Sequence, residues 1–130
     1  MCPVAVIIKN RQVLMGLRHY TPDKWKKISV WTIPGGRCDN GEKLETTLCR
    51  EVEEETGIND LEIIDYLGDV PGAKSGDIVP LFIGRSQQEP KLIEPEKFSQ
   101  WRWFGVDEFP DNFINPASLV LIKKYLKSSI

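Results

Sequence analysis

The chain has 130 residues, of which 41% are hydrophobic and 28% are charged, and its formal net charge at pH 7 is −2. This length and composition predict one globular domain with its own core, spanning residues 1–130. The near-neutral charge provides no general basic surface, so we expect no long nucleic acid as a partner. No apolar run is long enough to cross a bilayer and the first residues lack a secretory signal, which predicts a cytoplasmic protein without a membrane partner.

The first half of the chain alternates short apolar runs with turn-forming residues. These runs predict strands at residues 4–8, 13–17 and 30–33, the first two paired around a tight turn. A turn at residues 39–41 then leads into a helix predicted at residues 42–56. Gly57 follows this helix directly and is expected to cap it in the left-handed conformation.

The carboxylates of this helix share one side. At about 100° per residue, Glu51, Glu54 and Glu55 fall together, whereas Glu53 points the opposite way. Like charges at this spacing repel each other, and a divalent cation would reverse the sign of that interaction. Oxygen ligands suit Mg²⁺, with Mn²⁺ as a substitute, and both ions usually recruit phosphate oxygens. The helix therefore indicates a metal site for a phosphate ester or anhydride, with a solvated acidic face as the alternative.

The second half of the chain contains three more strands and one more helix. Strands are predicted at residues 61–70, 78–84 and 98–106, and a helical pattern covers residues 115–127. Strands of this number with two main helices favour an α/β fold in which helices cover both faces of a mixed sheet.

Residues 36–58 match the spacing G-x5-E-x7-R-E-U-x-E-E-x-G-U, in which U is a bulky apolar residue. At these positions the chain resembles the Nudix hydrolase family, and it matches the signature without a departure. The resemblance implies an α/β/α sandwich with a loop-helix-loop metal motif. It also implies a hydrolase that cleaves nucleoside diphosphates linked to another group and requires a divalent cation.

The same resemblance assigns roles to residues of the motif. Glu51, Glu54 and Glu55 would bind the metal, together with the backbone carbonyl of Gly35. Either Glu51 or Glu54 would also orient or deprotonate the attacking water. Two further residues would support the ligands without binding the metal, because a charge pair holds glutamates in fixed rotamers. These are Arg50, which would orient Glu51, and Glu42, which would support the loop.

A second segment, residues 89–110, resembles the later half of Nudix nucleoside triphosphate diphosphatases, including the MutT-like enzymes. In those proteins a glutamate just before a tryptophan-bearing strand is a further metal ligand. By this resemblance Glu96 is the first candidate and Glu94 the second. The alternative is a polar loop before an edge strand.

Substrate binding requires donors for phosphate and an aromatic surface for a base. Arg18 and Arg37 are candidates for contacts with phosphate or sugar, as is Gly36 beside the metal site. Phe113 precedes the last helix, where related enzymes close over the base, although core packing is its alternative. The basic loop at residues 23–27 is a candidate flap for anionic substrates, with a solvated insertion as the alternative.

We therefore predict a magnesium-dependent Nudix diphosphatase of the MutT-like branch, which converts a nucleoside or deoxynucleoside triphosphate to the monophosphate and pyrophosphate. One alternative is hydrolysis of another diphosphate-linked compound, such as a nucleotide sugar, a dinucleotide or a pterin triphosphate. Another is a Nudix domain that senses a ligand without turnover, although the intact set of glutamates argues against it. Homodimers are common among similar proteins, and a homodimer is left open here.

Overall fold

The computed structural model describes residues 1–19, 29–38, 41–72 and 76–128. Within these ranges all the predicted strands and both predicted helices are present, with bounds that differ from the predictions by one or two residues. The elements are β1 (Val4–Lys9), β2 (Gln12–Arg18), β3 (Val30–Thr32), α1 (Leu44–Thr56), β4 (Glu62–Pro71), β5 (Ile78–Arg85), β6 (Phe98–Gly105), a 3₁₀ turn (Val106–Glu108) and α2 (Pro116–Ser128).

The strands form one mixed sheet in the order β3-β2-β1-β5-β4, with β6 paired to β2. Strands β1 and β5 are parallel, and the other pairings are antiparallel. The tight turn between β1 and β2 is confirmed, because Asn10 and Arg11 have φ angles of 52° and 61°. Two successive positive φ angles are typical of the type I′ hairpin turn.

Helices cover both faces of the sheet, which confirms the predicted α/β sandwich. On one face, Leu48 and Val52 of α1 pack on Ala5, Ile7 and Leu14. On the other face, α2 packs on the alternate residues of the same strands, and this cluster includes Val6, Val13, Met15, Ile122 and Leu126. The alternation follows from strand geometry, in which successive side chains point to opposite faces.

Helix α1 ends as the sequence predicts. Gly57 has a φ of 76°, and its N–H group donates to the carbonyl of Glu53. Thr56 adds a hydrogen bond from its hydroxyl group to the carbonyl of Val52, at 2.7 Å. Because Leu48 and Val52 are fully buried, the helix cannot rotate on the sheet without exposing them, and the orientation of its glutamates is set.

The loop before α1 is held by the first residues of the chain. Ala5 N–H donates to the Pro34 carbonyl at 2.8 Å, and Gly36 N–H donates to the Pro3 carbonyl at 3.2 Å. This backbone pairing fixes residues 34–36 against β1. The predicted turn residues Asp39 and Asn40, and the candidate flap at residues 23–27, lie outside the described residues.

Helices long and apolar enough to span a membrane do not occur in the described part of the chain. The cytoplasmic location and the single domain over residues 1–130 stay predictions.

Candidate active site

Two glutamates of α1 reach the loop that precedes the helix. The N–H group of Gly35 donates to Glu55 Oε1 at 3.0 Å. A Cβ atom on Gly36 would lie 2.4 Å from Glu51 Cδ, so the carboxylate of Glu51 occupies the space that any side chain there would need. The structure therefore brings Gly35, Gly36, Glu51 and Glu55 together, as the motif predicts.

Arg50 connects the acidic residues around it. Its Nη2 lies 3.0 Å from Glu42 Oε1, and its Nε lies 3.3 Å from Glu42 Oε2, a two-point contact with one carboxylate. Its Nη1 lies 3.1 Å from Glu51 Oε1 and 3.3 Å from Glu54 Oε1. The hydrogen bonds that Arg50 donates to Glu42, and then the one that it donates to Glu54, raise the pKa of the guanidinium group. Arg50 thus contacts Glu51, the residue that it was predicted to orient.

The carboxylates differ in how much of their negative charge is compensated. Burial raises the pKa of Glu55 to about 8, although the hydrogen bond from Gly35 opposes this shift. The Glu55 side chain is only 8% exposed, and neighbouring negative charges on Glu51 and Glu94 raise its pKa further. Burial also raises the pKa of Glu51, with the charge of Glu54 as the second cause. The nearby cations therefore do not fully offset the burial and mutual repulsion of these carboxylates, which is the condition that favours a bound cation.

Glu94, from the loop before β6, is the acidic residue that the structure brings to this group. Its side chain is 22% exposed, and Oε2 lies 3.3 Å from Lys97 Nζ. Within the described residues, its Oε1 is buried without a hydrogen-bond partner. An unpaired buried carboxylate oxygen is costly unless a cation or water satisfies it.

The sequence placed Glu96 ahead of Glu94 as the additional ligand, and the structure favours the reverse order. The N–H groups of Lys97 and Phe98 both donate to the Glu94 carbonyl, at 2.9 and 3.0 Å. This tight turn directs Glu94 inward, whereas Glu96 is exposed. The alternation of polar and apolar residues could not reveal this turn, because the turn depends on these backbone hydrogen bonds.

The predicted substrate residues lie in different environments. Arg18 lies 5.9 Å from the ring centroid of Phe98, and its charge lowers the pKa of Glu55, so it is near the motif. Arg37 is exposed and forms an ion pair with Asp77 at 3.5 Å. Phe113 is only 3% exposed and forms a β-bridge with Trp31, so its ring offers little surface to a base. Base binding by Phe113 stays a prediction that this burial does not support.

The donor set suits a hard divalent cation, because it consists of carboxylate and backbone oxygens. Across the described residues, no three His, Cys, Asp or Glu side chains are already arranged around one metal position. Glu51 and Glu54 are instead paired with the guanidinium group of Arg50. The unpaired oxygen of Glu94 and the raised pKa of Glu55 remain the observations that fit a cation.

Sequence reasoning missed two residues of this site. Lys97 is close to Glu94, and a glutamate and lysine three residues apart were the only signal for the pair. Thr47 is fully buried, and its hydroxyl group donates to Glu42, the residue that Arg50 also holds. A buried threonine one turn from the start of a helix gives no distinctive pattern.

Comparison with known families identifies the class of protein that this fold and site define. The NUDIX domain family matches residues 3–125 of the chain. The chain therefore belongs to the Nudix hydrolase family, and the resemblance drawn from the motif is confirmed.

Two curated relatives and one solved structure illustrate the relationship. NAD-capped RNA hydrolase NudC from Vibrio parahaemolyticus is 30% identical over 111 residues, covering 84% of this chain and 40% of that protein. RNA pyrophosphohydrolase from Cereibacter sphaeroides is 30% identical over 107 residues, covering 81% of this chain and 62% of that protein. The crystal structure of MutT NUDIX hydrolase from Burkholderia pseudomallei has a TM-score of 0.74 and 26% identity, with 94% of each chain covered. The chain thus spans less than two thirds of the two curated relatives.

Proposed function

We propose that this Nudix chain is a magnesium-dependent diphosphatase that hydrolyses a nucleoside or deoxynucleoside triphosphate to the monophosphate and pyrophosphate. The observation that carries the proposal is the under-compensated carboxylate group at the loop of Gly35 and Gly36. Glu55 is buried there with a raised pKa, and one oxygen of Glu94 has no partner among the described residues. Such a group binds a hard cation, and a hard cation of this kind binds a diphosphate.

Glu51, Glu54, Glu55 and the carbonyl of Gly35 would hold the cation, with Glu94 as a further ligand ahead of Glu96. When bound, Mg²⁺ or Mn²⁺ supplies a Lewis acid that neutralises charge on the phosphoryl oxygens. Glu51 or Glu54 would take the proton from the attacking water, since a general base has to lie within hydrogen-bond reach of that proton.

Arg50 and Glu42 would act by positioning. Arg50 bridges Glu42, Glu51 and Glu54. When a cation neutralises Glu51 and Glu54, the two-point contact with Glu42 still holds the guanidinium group in place. The glutamates would therefore change partner without losing their orientation.

Arg18 is the better supported phosphate ligand of the two predicted arginines. Its charge already acts on Glu55, whereas the contact of Arg37 with Asp77 directs that side chain toward the β4–β5 connection. Arg37 would have to leave Asp77 to bind a substrate, at the expense of a weak exposed ion pair.

A second candidate substrate is the 5′ end of an RNA. This candidate is favoured by the curated relatives, which are named as hydrolases of NAD-capped RNA and as RNA pyrophosphohydrolases. The linkage that would be cleaved is again a diphosphate, so the same carboxylates serve both reactions. The formal charge of −2 makes tight binding to the body of an RNA less expected than recognition of its first nucleotide.

The proposal is tested by product release from a substrate panel in Mg²⁺. The panel comprises nucleoside and deoxynucleoside triphosphates, nucleotide sugars, dinucleotides, a pterin triphosphate, 5′-triphosphorylated RNA and NAD-capped RNA. Pyrophosphate and orthophosphate are measured separately, and phosphomonoester products are measured for the linked diphosphates, which release neither. Glu54→Gln is the inactive variant. Glu53→Gln is its matched control, because Glu53 is an exposed glutamate of the same helix.

Pyrophosphate release from free triphosphates that Glu54→Gln abolishes and Glu53→Gln retains would support the triphosphate diphosphatase. Turnover of only the RNA substrates would move the function to RNA 5′ ends, and turnover of only linked diphosphates would select the other alternative. Magnesium-dependent binding of a nucleotide without any turnover would favour the ligand sensor and reject the enzyme.

A further inference from the structure

Lys97 is a cation beside the motif glutamates that no part of the Nudix signature includes. It lies just before β6, and its Nζ is 3.3 Å from Glu94 Oε2. Its positive charge also acts on Glu51, whose pKa it lowers. Lys97 is therefore close to both the motif helix and the residue that the structure adds to the site.

The backbone of Lys97 is held by hydrogen bonds, whereas its side chain is half exposed. The carbonyl of Lys97 accepts a hydrogen bond from His19 N–H at 2.9 Å, and its own N–H donates to the Glu94 carbonyl at 2.9 Å. The next residue, Phe98, is buried beneath Arg18. The side chain of Lys97 is nevertheless 50% exposed. A fixed backbone with a half-exposed ammonium group suits a residue that changes partner.

Because the site is rich in negative charge, binding of an anionic substrate requires positively charged side chains as well as a metal ion. A diphosphate would approach Glu51, Glu54, Glu55 and Glu94, and like charges at this range repel. Arg50 is already engaged with Glu42, Glu51 and Glu54. Lys97 differs, because its one ion pair among the described residues is with Glu94, and Glu94 is itself a candidate ligand of the cation.

We propose that Lys97 binds the diphosphate of the substrate, and that Glu94 is its partner only while no divalent cation is present. This inference rests on the proposed function, since it names a further substrate-binding residue of the same site. Lys97 and Arg18, which both lie where β2 and β6 meet, would then contact phosphoryl oxygens from the same side. Ammonium groups bind phosphate as point charges and require no fixed geometry.

Direct binding of inorganic pyrophosphate tests the proposal without turnover. Isothermal titration calorimetry in Mg²⁺ would compare the full chain with Lys97→Met, Lys97→Arg and Lys91→Met, the last being an exposed lysine of the same loop. We expect Lys97→Met to raise the dissociation constant about 10-fold, the loss of one charge-assisted contact. Lys97→Arg should recover most of this loss, and Lys91→Met should match the unmodified chain.

Steady-state kinetics on the best substrate of the panel provide the second measurement. Lys97→Met should raise KM more than it lowers kcat, and KM should depend less on ionic strength, because one screened charge contact is gone. Lys97→Gln, which keeps a polar side chain, should behave like Lys97→Met. Melting temperatures of all variants would show that the comparison is between folded proteins.

Two results distinguish failure of this inference from failure of the proposed function. If Lys97→Met changes the melting temperature or the magnesium requirement but leaves pyrophosphate binding and KM unchanged, Lys97 is only the ion-pair partner of Glu94 and the inference is overturned. If pyrophosphate binding depends on Lys97 but no nucleotide is hydrolysed, the inference stands and the proposed function fails.

Discussion

Acidic residues lie in two clusters near α1, and the two clusters differ in how far neighbouring donors and cations compensate their negative charge. The motif cluster contains Glu51, Glu54 and Glu55, joined by Glu94. The second cluster, which we call the loop cluster, follows the C-terminal end of α1 and contains Asp60, Glu62 and Glu89. Both are rich in carboxylates, so the number of acidic residues does not distinguish a site from a surface.

The loop cluster supplies its own donors. Asp60 accepts hydrogen bonds from the Ser86 hydroxyl group and from Gln87 N–H, and the first of these is the main cause of its lowered pKa. Glu62 pairs with Arg85. Glu89 pairs with Lys9 and accepts a hydrogen bond from Trp103 Nε1 at 2.9 Å, and both contacts lower its pKa. Each of these carboxylates therefore has a hydrogen-bond donor or a cation as its partner without a further ligand.

The motif cluster shows the opposite shift, with raised pKa values at Glu51 and Glu55. The direction of the shift at these two residues agrees with the motif, whereas the position of a surface cavity does not. A surface cavity is lined by Asp60, Glu62, Arg85, Ser86 and Gln87, so it belongs to the loop cluster. Because these side chains are already paired with one another, the cavity offers a ligand few unsatisfied groups.

The clearest test of the difference between the two clusters is to neutralise one carboxylate in each. Glu51→Gln should lower kcat by about 10²- to 10⁴-fold, the range for loss of a general base, with little change in melting temperature. Asp60→Asn should leave kcat unchanged and lower the melting temperature, because the amide loses the hydrogen bonds of a charged acceptor. Steady-state kinetics and thermal unfolding measure both. A similar loss of activity in the two variants would remove the distinction between the clusters.

A second pair of variants sharpens the role of the loop before α1. A Cβ atom on Gly36 would meet the carboxylate of Glu51, whereas one on Gly35 would lie 2.3 Å from the carbonyl oxygen of Pro3. We therefore expect Gly36→Ala to lower activity roughly 10- to 100-fold by displacing Glu51, a flexible side chain. Gly35→Ala should chiefly lower the melting temperature, since backbone atoms cannot move aside. Equal effects of the two changes on stability would contradict this division.

Glu94→Gln and Glu96→Gln form a matched pair two residues apart. The Glu94 variant should raise the Mg²⁺ concentration at half-maximal activity about 10-fold, as expected for a residue at the metal. The Glu96 variant should follow the unmodified chain, because Glu96 is exposed. A magnesium titration that moves only for Glu96→Gln would restore the order predicted from the sequence.

The metal-free protein should also show a pH dependence of stability, which does not affect catalysis. Glu55 binds its proton more tightly when folded, so its favourable contribution is complete below the ordinary pKa of 4.5 and is lost as pH rises through about 8. The free energy of unfolding in chelator should fall across this window by at most about 1.4 kcal/mol per pH unit. Glu55→Gln should flatten the slope, because glutamine does not titrate. Its amide oxygen can still accept the hydrogen bond from Gly35 N–H. Glu53→Gln, the exposed control, should retain it, and a flat profile for the unmodified chain would reject the burial argument.

Much of the fold follows from local pattern. Alternating apolar residues located the strands, and Gly57 marked the end of α1. Pairing of β1 with β5 in parallel was not predicted, because it joins segments more than 70 residues apart through no local signal. Phe113 shows the same limit, since the sequence left both base binding and core packing open, and the structure buries the ring where residue 113 bridges to Trp31.

The sequence by itself determined the family, the helix side that Glu51, Glu54 and Glu55 share, and the glycines that let the loop approach them, because these depend only on spacing and helical period. Tertiary structure alone decided which of these carboxylates is buried, that Glu94 and not Glu96 joins them, and that Lys97 lies beside both. Burial and proximity arise where the loop before β6 lies against the end of α1, with Lys91 N–H donating to the Thr56 carbonyl, and no spacing along the chain encodes that contact.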